Sequence, residues 1–328
     1  MRELMETTNK NVYKVFGLRV LSEMKLPELP QINEQEENVE IVIRLTDLSQ
    51  KWSELASAKQ NFVVDKNVVM IRIPDTAIFS IQGGKQIFVS PMKEACEDKI
   101  RLYILGTCMG ALLIQRGILP LHGSAINIDG KVYAFVGNSG AGKSTLAAAF
   151  LSKGYKILSD DVIAVTVSSD KTPIVIPSYP QQKLWAESLN AFGMGTASYN
   201  PLFERETKYA VPVQSHFFSE TLPLAGVIEL TKTEGENVEL IRIEGLERLR
   251  TLFFHTFRKF LITQLKLTEW HFTTSTSVIN QVDMFHLKRP NNRFTAHELV
   301  SIILKTIHGG VIDDVYRENF SRVSDCAK

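Results

Sequence analysis

Val136-Gly137-Asn138-Ser139-Gly140-Ala141-Gly142-Lys143-Ser144-Thr145 is the stretch whose reading decides the fold. It spells Gly-x-x-x-x-Gly-Lys-Ser, the pattern of a phosphate-binding loop. The apolar run Val132–Val136 before it reads as a buried strand, and Leu146–Leu151 after it as a helix. Strand, glycine loop and helix are the context the pattern requires. Glycines let backbone N–H groups close around phosphate oxygens where a Cβ would block the approach. The helix N-terminus adds partial positive charge. In this pattern Lys143 reaches the β- and γ-phosphates, and Ser144 offers its hydroxyl to Mg²⁺.

Upstream, Asp129-Gly130 is a hairpin signal between the strand Ala125–Ile128 and the strand that delivers the loop. A hairpin sets the start of one strand beside the end of its partner. His122, at the head of that upstream strand, is therefore expected near the phosphates, either as a structural histidine or as a group that shapes the site. Downstream, Lys156–Val162 reads as the next strand, with Asp160 and Asp161 at its C-terminal edge, where ligands sit in α/β sheets. A right-handed crossover carries that edge to Lys143 and Ser144.

Phosphoryl transfer needs positioned phosphates, neutralised charge and an oriented acceptor. Asp160 is the candidate proton acceptor. Asp161 is the candidate Mg²⁺ ligand, directly or through water, because Mg²⁺ favours carboxylates and keeps several waters. An isolated Asp-Asp is more often a solvated turn; its place one strand after the loop gives the pair its functional reading. The remaining histidines show no ligand spacing.

The chain has 328 residues, 44% of them apolar, and a formal net charge of +1. That length suits two domains. That charge gives no reason to expect nucleic acid or an anionic membrane as partner. Cys96, Cys108 and Cys326 lack C-x-x-C spacing, which argues against a disulfide framework or zinc and fits a reducing cytosol. Met1–Lys10 has no apolar core of a secretory signal, and the most apolar window, Leu102–Ile114, suits a buried helix better than a membrane span.

Residues 12–91 read as β-rich: Val39–Leu45, Asn61–Asp65, Val68–Ile73, Ile78–Ile81 and Gln86–Ser90 are short β-branched runs, with turns at Asp65-Lys66-Asn67 and Gly83-Gly84. Asn33–Asn38 is acidic and reads as an exposed loop. Lys93–Arg116 reads as one long helix, Lys183–Phe192 as a short one, Glu244–Leu265 as largely helical, and Ala296–Ile307 as a final amphipathic helix. The expected organisation is a β-rich N-terminal domain (1–92), an α/β P-loop domain (93–310) and a C-terminal tail (311–328).

Leu121-His122-Gly123-Ser124-Ala125, then Gly137–Thr145, then Leu158-Ser159-Asp160-Asp161-Val162, in this order and spacing, resemble the kinase domain of the HPr kinase/phosphorylase family. The resemblance implies that Asp160 accepts and donates the proton, that Asp161 is its partner at metal and nucleotide, and that His122 supports them. Phe16-Gly17-Leu18, Leu26-Pro27-Glu28-Leu29, Gln115-Arg116-Gly117, Pro177–Trp185, Lys208 and His255–Arg258 extend the likeness to HPr-kinase-like proteins of bacterial peptide gene clusters, including lasso peptide clusters. These are similar to kinases that phosphorylate a serine at the C-terminus of a precursor peptide. The downstream glycine-rich signature of bifunctional HPr kinases is absent. The β-rich region gives no reason to expect HPr itself as the partner.

Lys208, before the apolar run Tyr209–Val213, and Arg258, on an expected helix Leu252–Leu261, could each contact a phosphate or a substrate carboxylate, or be surface charges. The leading expectation is a cytoplasmic, ATP- and Mg²⁺-dependent peptide-serine kinase; the resemblance to HPr kinases, which often assemble, leaves a homo-oligomer open. A kinase for a small-metabolite hydroxyl and a non-catalytic nucleotide sensor stand as alternatives.

Overall fold

The computed structural model describes residues 11–33, 38–57, 60–202 and 205–309, the side chains of 205 and 206 excepted. The N-terminal ten residues, most of the acidic segment 33–38, and the tail 311–328 with Cys326 lie outside the described residues.

Among the described residues, two seven-stranded sheets and one three-stranded sheet organise the fold. The first is built from β1 (Asn11–Val15), β2 (Leu18–Ser22), β3 (Ile41–Leu45), β4 (Phe62–Asp65), β5 (Val68–Ile73), β6 (Ala77–Gln82) and β7 (Gln86–Pro91), with α1 (Ser49–Leu55) after β3. Its order is β1-β2-β3-β7-β6-β5-β4. Phe16 and Gly17 both take positive φ, the geometry of a two-residue hairpin turn between β1 and β2. Lys66 does the same between β4 and β5.

The helix expected over 93–116 begins later and is interrupted: α2 (Glu97–Tyr103), a π-helical turn (Ile104–Cys108) and α3 (Met109–Gln115). A π-turn inserts an extra residue into the ladder and rotates the face that follows. Its apolar side packs on the first sheet through Ile100, Ile104, Leu112 and Leu113, in one core with Phe79, Ile81 and Ile87. That same core takes in Val162, Tyr179 and Leu261, so it runs continuously across the expected boundary near residue 92. Gln115 explains part of the Gln-Arg-Gly motif: its Nε2 donates to the carbonyls of Asn67 and Ile81, and its Oε1 accepts from the Gly84 N–H. The motif fastens the helix to the first sheet.

The second sheet carries the phosphate loop. β8 (Leu119–Ile128), β9 (Lys131–Gly137), α4 (Lys143–Leu151), β10 (Lys156–Val167) and β11 (Pro173–Ile176) follow in sequence. β12 (Gln181–Trp185), α5 (Ala186–Ala191), β13 (Asn200–Leu202) and β14 (Arg205–Pro212) build the small sheet, ordered β12-β14-β13. β15 (Leu222–Thr233), β16 (Glu239–Arg242), α6 (Leu246–His255), α7 (Phe260–Gln264), α8 (Thr268–Ile279), β17 (Asp283–Pro290) and α9 (Ala296–Gly309) complete the chain. The order β11-β10-β8-β9-β15-β17-β16 puts the loop strand β9 in the centre, parallel to β15, with β15 parallel to β17.

β9 shows why the sequence makes a three-layer α/β arrangement. Val132, Ala134 and Val136 face one side, in a core with Leu252 of α6 and Val278 of α8. Phe135 faces the other, in a core with α4 and with Leu299, Val300 and Ile303 of α9. A strand buried on both faces reads as a continuous apolar run because its side chains alternate between two cores. Among the described residues no helix is long and apolar enough to cross a membrane.

Three further expectations change. Lys183 is not helical: the first residues of the expected helix form β12, paired with β14 from Gln181↔Pro212 to Trp185↔Lys208, and the helix starts at Ala186. The expected helix over 244–265 breaks between His255 and Phe260, where Thr256 bridges Leu121 of β8. The acid pair sits inside β10, a strand of 12 residues, and not at its C-terminal edge.

Candidate active site

The phosphate loop connects β9 to α4 by a path that only glycine permits at its ends. A Cβ on Gly137 (φ +148°) would lie 2.5 Å from the Leu230 carbonyl oxygen of β15. Gly142 (φ +107°) precedes α4, and Arg289 Nε is 3.2 Å from where its Cβ would be. Arg289 Nε also donates to the Ala141 carbonyl at 2.8 Å, tying β17 to the loop. Lys143 Nζ donates to the carbonyls of Gly137 (2.8 Å) and Asn138 (3.0 Å). Burial lowers its pKa to about 8, with the Asp160 charge acting against that fall.

β8 lies between β9 and β10 and is antiparallel to both. β10 therefore runs parallel to β9 with β8 inserted, and the register sets Asp160 opposite Ser124 and Asp161 opposite Gly123. Ser124 Oγ donates to Asp160 Oδ1 at 2.6 Å, and Ser144 Oγ donates to the same oxygen at 3.0 Å. Lys183 donates its backbone N–H to Asp160 Oδ2 at 2.8 Å. Asp160 is thus the carboxylate in contact with the loop serine, gripped by three uncharged donors.

Asp161 has different company. Its Oδ2 is 2.6 Å from Lys183 Nζ and its Oδ1 is 3.6 Å from His122 Nδ1. Burial pushes its pKa up, but Lys183 and then His122 more than offset this and hold it well below the usual carboxylate range. Lys183 is 5% exposed, and although burial opposes its charge, Asp161 raises its pKa above the normal lysine value. His122 Nδ1 also lies 3.0 Å from the Asp161 carbonyl, a contact that needs the proton on Nδ1. Burial lowers the His122 pKa, with Asp161 opposing.

Successive side chains of a regular strand point to opposite faces, so neighbouring acids would not share a site. Here Asp161 takes φ +79°. Together with a register shift between Ile157 and Ser159, and a hydrogen bond from Ser159 Oγ to the Val162 carbonyl, this turns both carboxylates into one cleft. That turn is invisible in the sequence.

The cleft has a volume of about 1250 Å³. It is lined by Gly137, Asn138, Ser139, Gly140, Gly142, Lys143, Ser144 and Thr145 of the loop region, with Ala141 turned away, and by His122, Asp160, Asp161, Lys208 and Arg258. Lys208 lies on β14 with Nζ 5.6 Å from the centre of the Trp185 ring. Arg258 lies in the break between α6 and α7 at φ +54°, and its Nη2 donates to Thr107 Oγ1 at 2.6 Å. Thr107 belongs to the π-turn, which brings it and Gly106 to the cleft wall.

Lys183, Ser124 and Arg289 have no sequence signal for these contacts. Ser124 and Lys183 lie in quoted motifs, but Leu-His-Gly-Ser-Ala carries no sign that its serine holds Asp160, and Gln-Gln-Lys-Leu-Trp none that its lysine holds two acids. His255 also faces the cleft, its Nε2 2.6 Å from Glu229 Oε1. Among the described residues no group of three or more His, Cys, Asp or Glu is arranged to hold a metal ion. A Mg²⁺ site needs no such group when phosphates and waters supply most ligands. Ser144 Oγ is a hard oxygen donor that fits it; the Asp161 carboxylate, the other expected Mg²⁺ ligand, is engaged by Lys183 and His122, and the carboxylate in contact with Ser144 is that of Asp160.

No family model matches the chain. The HPr kinase/phosphorylase of Paraburkholderia phymatum is 27% identical over 170 residues, covering 51% of this chain and 50% of that protein. The HPr kinase/phosphorylase of Lactobacillus johnsonii is 30% identical over 112 residues, covering 31% of this chain and 34% of that one. The chain spans half the length, or less, of these curated relatives. The solved Hpr(Ser) kinase/phosphatase of Coxiella burnetii aligns with 58% of this chain and 97% of that one, at 12% identity and a TM-score of 0.33. The chain thus has homologues in the HPr kinase/phosphorylase family, at 27% identity over half its length.

Proposed function

We propose that this chain is an ATP- and Mg²⁺-dependent kinase that transfers the γ-phosphate to a serine hydroxyl. The observation that carries the reading is the contact between Ser144 of the phosphate loop and Asp160, which supports a carboxylate acting at the γ-end of a triphosphate held by the loop. The relatives named HPr kinase/phosphorylase support the same reaction class.

Lys143 and the loop N–H groups position the triphosphate. Asp160 accepts the proton of the acceptor hydroxyl as the acceptor oxygen bonds to the γ-phosphorus. The bond from that phosphorus to the β,γ-bridging oxygen breaks, and ADP leaves with the electron pair. Ser124 and the Lys183 N–H fix the Asp160 carboxylate. Asp161, held as an anion by Lys183, orients that lysine and the Nδ1–H of His122 rather than taking up a proton itself. Ser144 would hold Mg²⁺ together with phosphate oxygens and waters, with Asp160 reached through one of those waters, and the ion would supply neutralisation of phosphate charge.

The acceptor proposed is the C-terminal serine of a ribosomally made precursor peptide of the lasso kind. The flanking sequence motifs support it, and so do Lys208 and Arg258 on the cleft wall, since an arginine fork suits a terminal carboxylate. The test is mass spectrometry of serine-ended peptides incubated with the chain, ATP and Mg²⁺. Phosphate on the terminal serine, lost when that serine becomes alanine and reduced by C-terminal amidation, is the expected result. A chain that binds ATP and phosphorylates none of these peptides refutes the acceptor assignment.

A further inference from the structure

The cleft continues well beyond the transfer centre, and sheet order gives it a direction. Asp160 and Asp161 are on β10, two strands from the phosphate loop on one side; β17 is two strands away on the other. A triphosphate on the loop with its γ-end at Asp160 sends its nucleoside away from β10. The wall that holds Arg258 is on the acid side, since Thr256 bridges Leu121 of β8. On the β17 side the cleft is lined by the segment between β17 and α9.

That segment is pinned at both ends. It leaves β17 where Arg289 is bonded to the loop carbonyl of Ala141. The Asn291 N–H donates to the Thr233 carbonyl (3.1 Å) and its Nδ2 to Glu234 Oε1 (2.7 Å). At the far end Thr295 and Ala296 are buried. Between them Asn292 and Phe294 line the cleft, and Phe294 is 48% exposed. Its ring is set by T-shaped contacts with Phe192 (5.6 Å, 77°) and His297 (6.1 Å, 66°). A single exposed phenyl on a surface needs no explanation. One held in place inside the cleft, on the segment that follows β17, offers a stacking platform. The cleft volume of about 1250 Å³ leaves room for a nucleotide and an acceptor together.

Resting on the kinase reading above, we infer that Phe294 and Asn292 form the nucleoside subsite: the purine base of the triphosphate stacks on Phe294, with the Asn292 amide at its hydrogen-bonding edge. Base–aromatic stacking of this kind tolerates different bases because each has a π-face. The amide supplies the polar contact that fixes orientation.

Titration calorimetry of the whole chain with Mg·ATP and with Mg·tripolyphosphate tests it. The unsubstituted chain is expected to bind ATP more tightly than tripolyphosphate. Phe294→Ala weakens ATP binding roughly tenfold and leaves tripolyphosphate binding within about twofold, while Phe294→Tyr keeps the ATP affinity. The inference is overturned if Phe294→Ala leaves ATP binding unchanged, if it weakens both probes equally, or if the unsubstituted chain shows no preference for ATP. Failure of the underlying reading has another signature. Phe294-dependent ATP binding without phosphate transfer removes the kinase and keeps the subsite, whereas a chain that binds neither probe removes both.

Discussion

Replacing Lys183 with methionine removes the ammonium from Asp161 and keeps the apolar stem and the backbone N–H that serves Asp160. Breaking a buried ion pair from one side costs about 3–5 kcal/mol, because the partner charge stays behind uncompensated. The side chain of Asp161 is 21% exposed and keeps His122 at 3.6 Å, so water and the imidazole take up part of the loss. A cost of about 2–3 kcal/mol follows from that discount. In a chain of this size it appears as a fall in Tm of about 3–4 °C. The assay is urea unfolding read by tryptophan fluorescence, with Trp185 two residues away as a local reporter. Run as a cycle, Asp161→Asn and Lys183→Met should each destabilise, and the double variant should fall short of their sum by at least about 1 kcal/mol. The sign with pH is fixed. The folded pKa of Asp161 is below its unfolded value, so its stabilisation is complete above the unfolded carboxylate range near about 4 and is lost as pH falls through the depressed folded value. For Lys183, raised on folding, stabilisation is complete below about pH 10 and is lost above the folded value. The gap between parent and Lys183→Met should therefore stay level across the neutral range and narrow in acid. Additive single effects, or a gap that widens in acid, refute the assignment of the pair.

Three further outcomes are expected. Asp160→Asn should keep ATP affinity and lower turnover by about 10²–10⁴-fold; near-normal turnover in a phosphate-transfer assay removes Asp160 as the proton acceptor. In the proposed kinase Lys143 binds phosphate as the ammonium, and burial lowers its pKa in the free chain to about 8. Mg·ATP affinity should hold steady below that value and fall by up to about tenfold per pH unit above it, until the raised pKa of the bound state is reached. The same lysine costs stability while charged, so unfolding free energy should rise between pH 8 and the unfolded lysine value near about 10.4; a flat ATP titration counts against the phosphate contact. Gly123→Ala would put a Cβ 2.1 Å from the Phe135 carbonyl oxygen, where β8 and β9 press together. It should cost more than about 3 kcal/mol in urea unfolding, and a change within about 0.5 kcal/mol would show that the strands yield there.

Legibility followed the range of the interaction. The strand–loop–helix around the glycines, the Asp129-Gly130 hairpin and the placing of His122 in one cleft with that loop are local facts, written within about 25 residues, and they stand in the fold. The central position of β9 was legible as well, because burial on two faces leaves an unbroken apolar run. Lys183 was not. Its role depends on β12 lying along the acids, and β12 is held by pairing with β14, whose register no local pattern announces. The break at Thr256 was hidden for the same reason: the sequence from Leu246 to Gln264 has helical periodicity, and only the bridge to Leu121 interrupts it. Arg258 therefore reaches Thr107 from a bend and not from a helix face.

The backbone turn at Asp161 selects residue type twice over. Asparagine, aspartate and glycine enter positive φ far more readily than other residues, and only a carboxylate serves Lys183. Alanine at 161 would therefore fail in two ways at once, and its loss of activity would be wrongly credited to charge alone. Glycine removes the carboxylate while easing the backbone; asparagine removes the charge while leaving the turn in place. Variation at this position is accordingly confined to a narrow set. The adjacency of the two acids is itself a property of the bend: a chain that straightened here would have to place its second carboxylate two residues along to keep both in reach of one substrate.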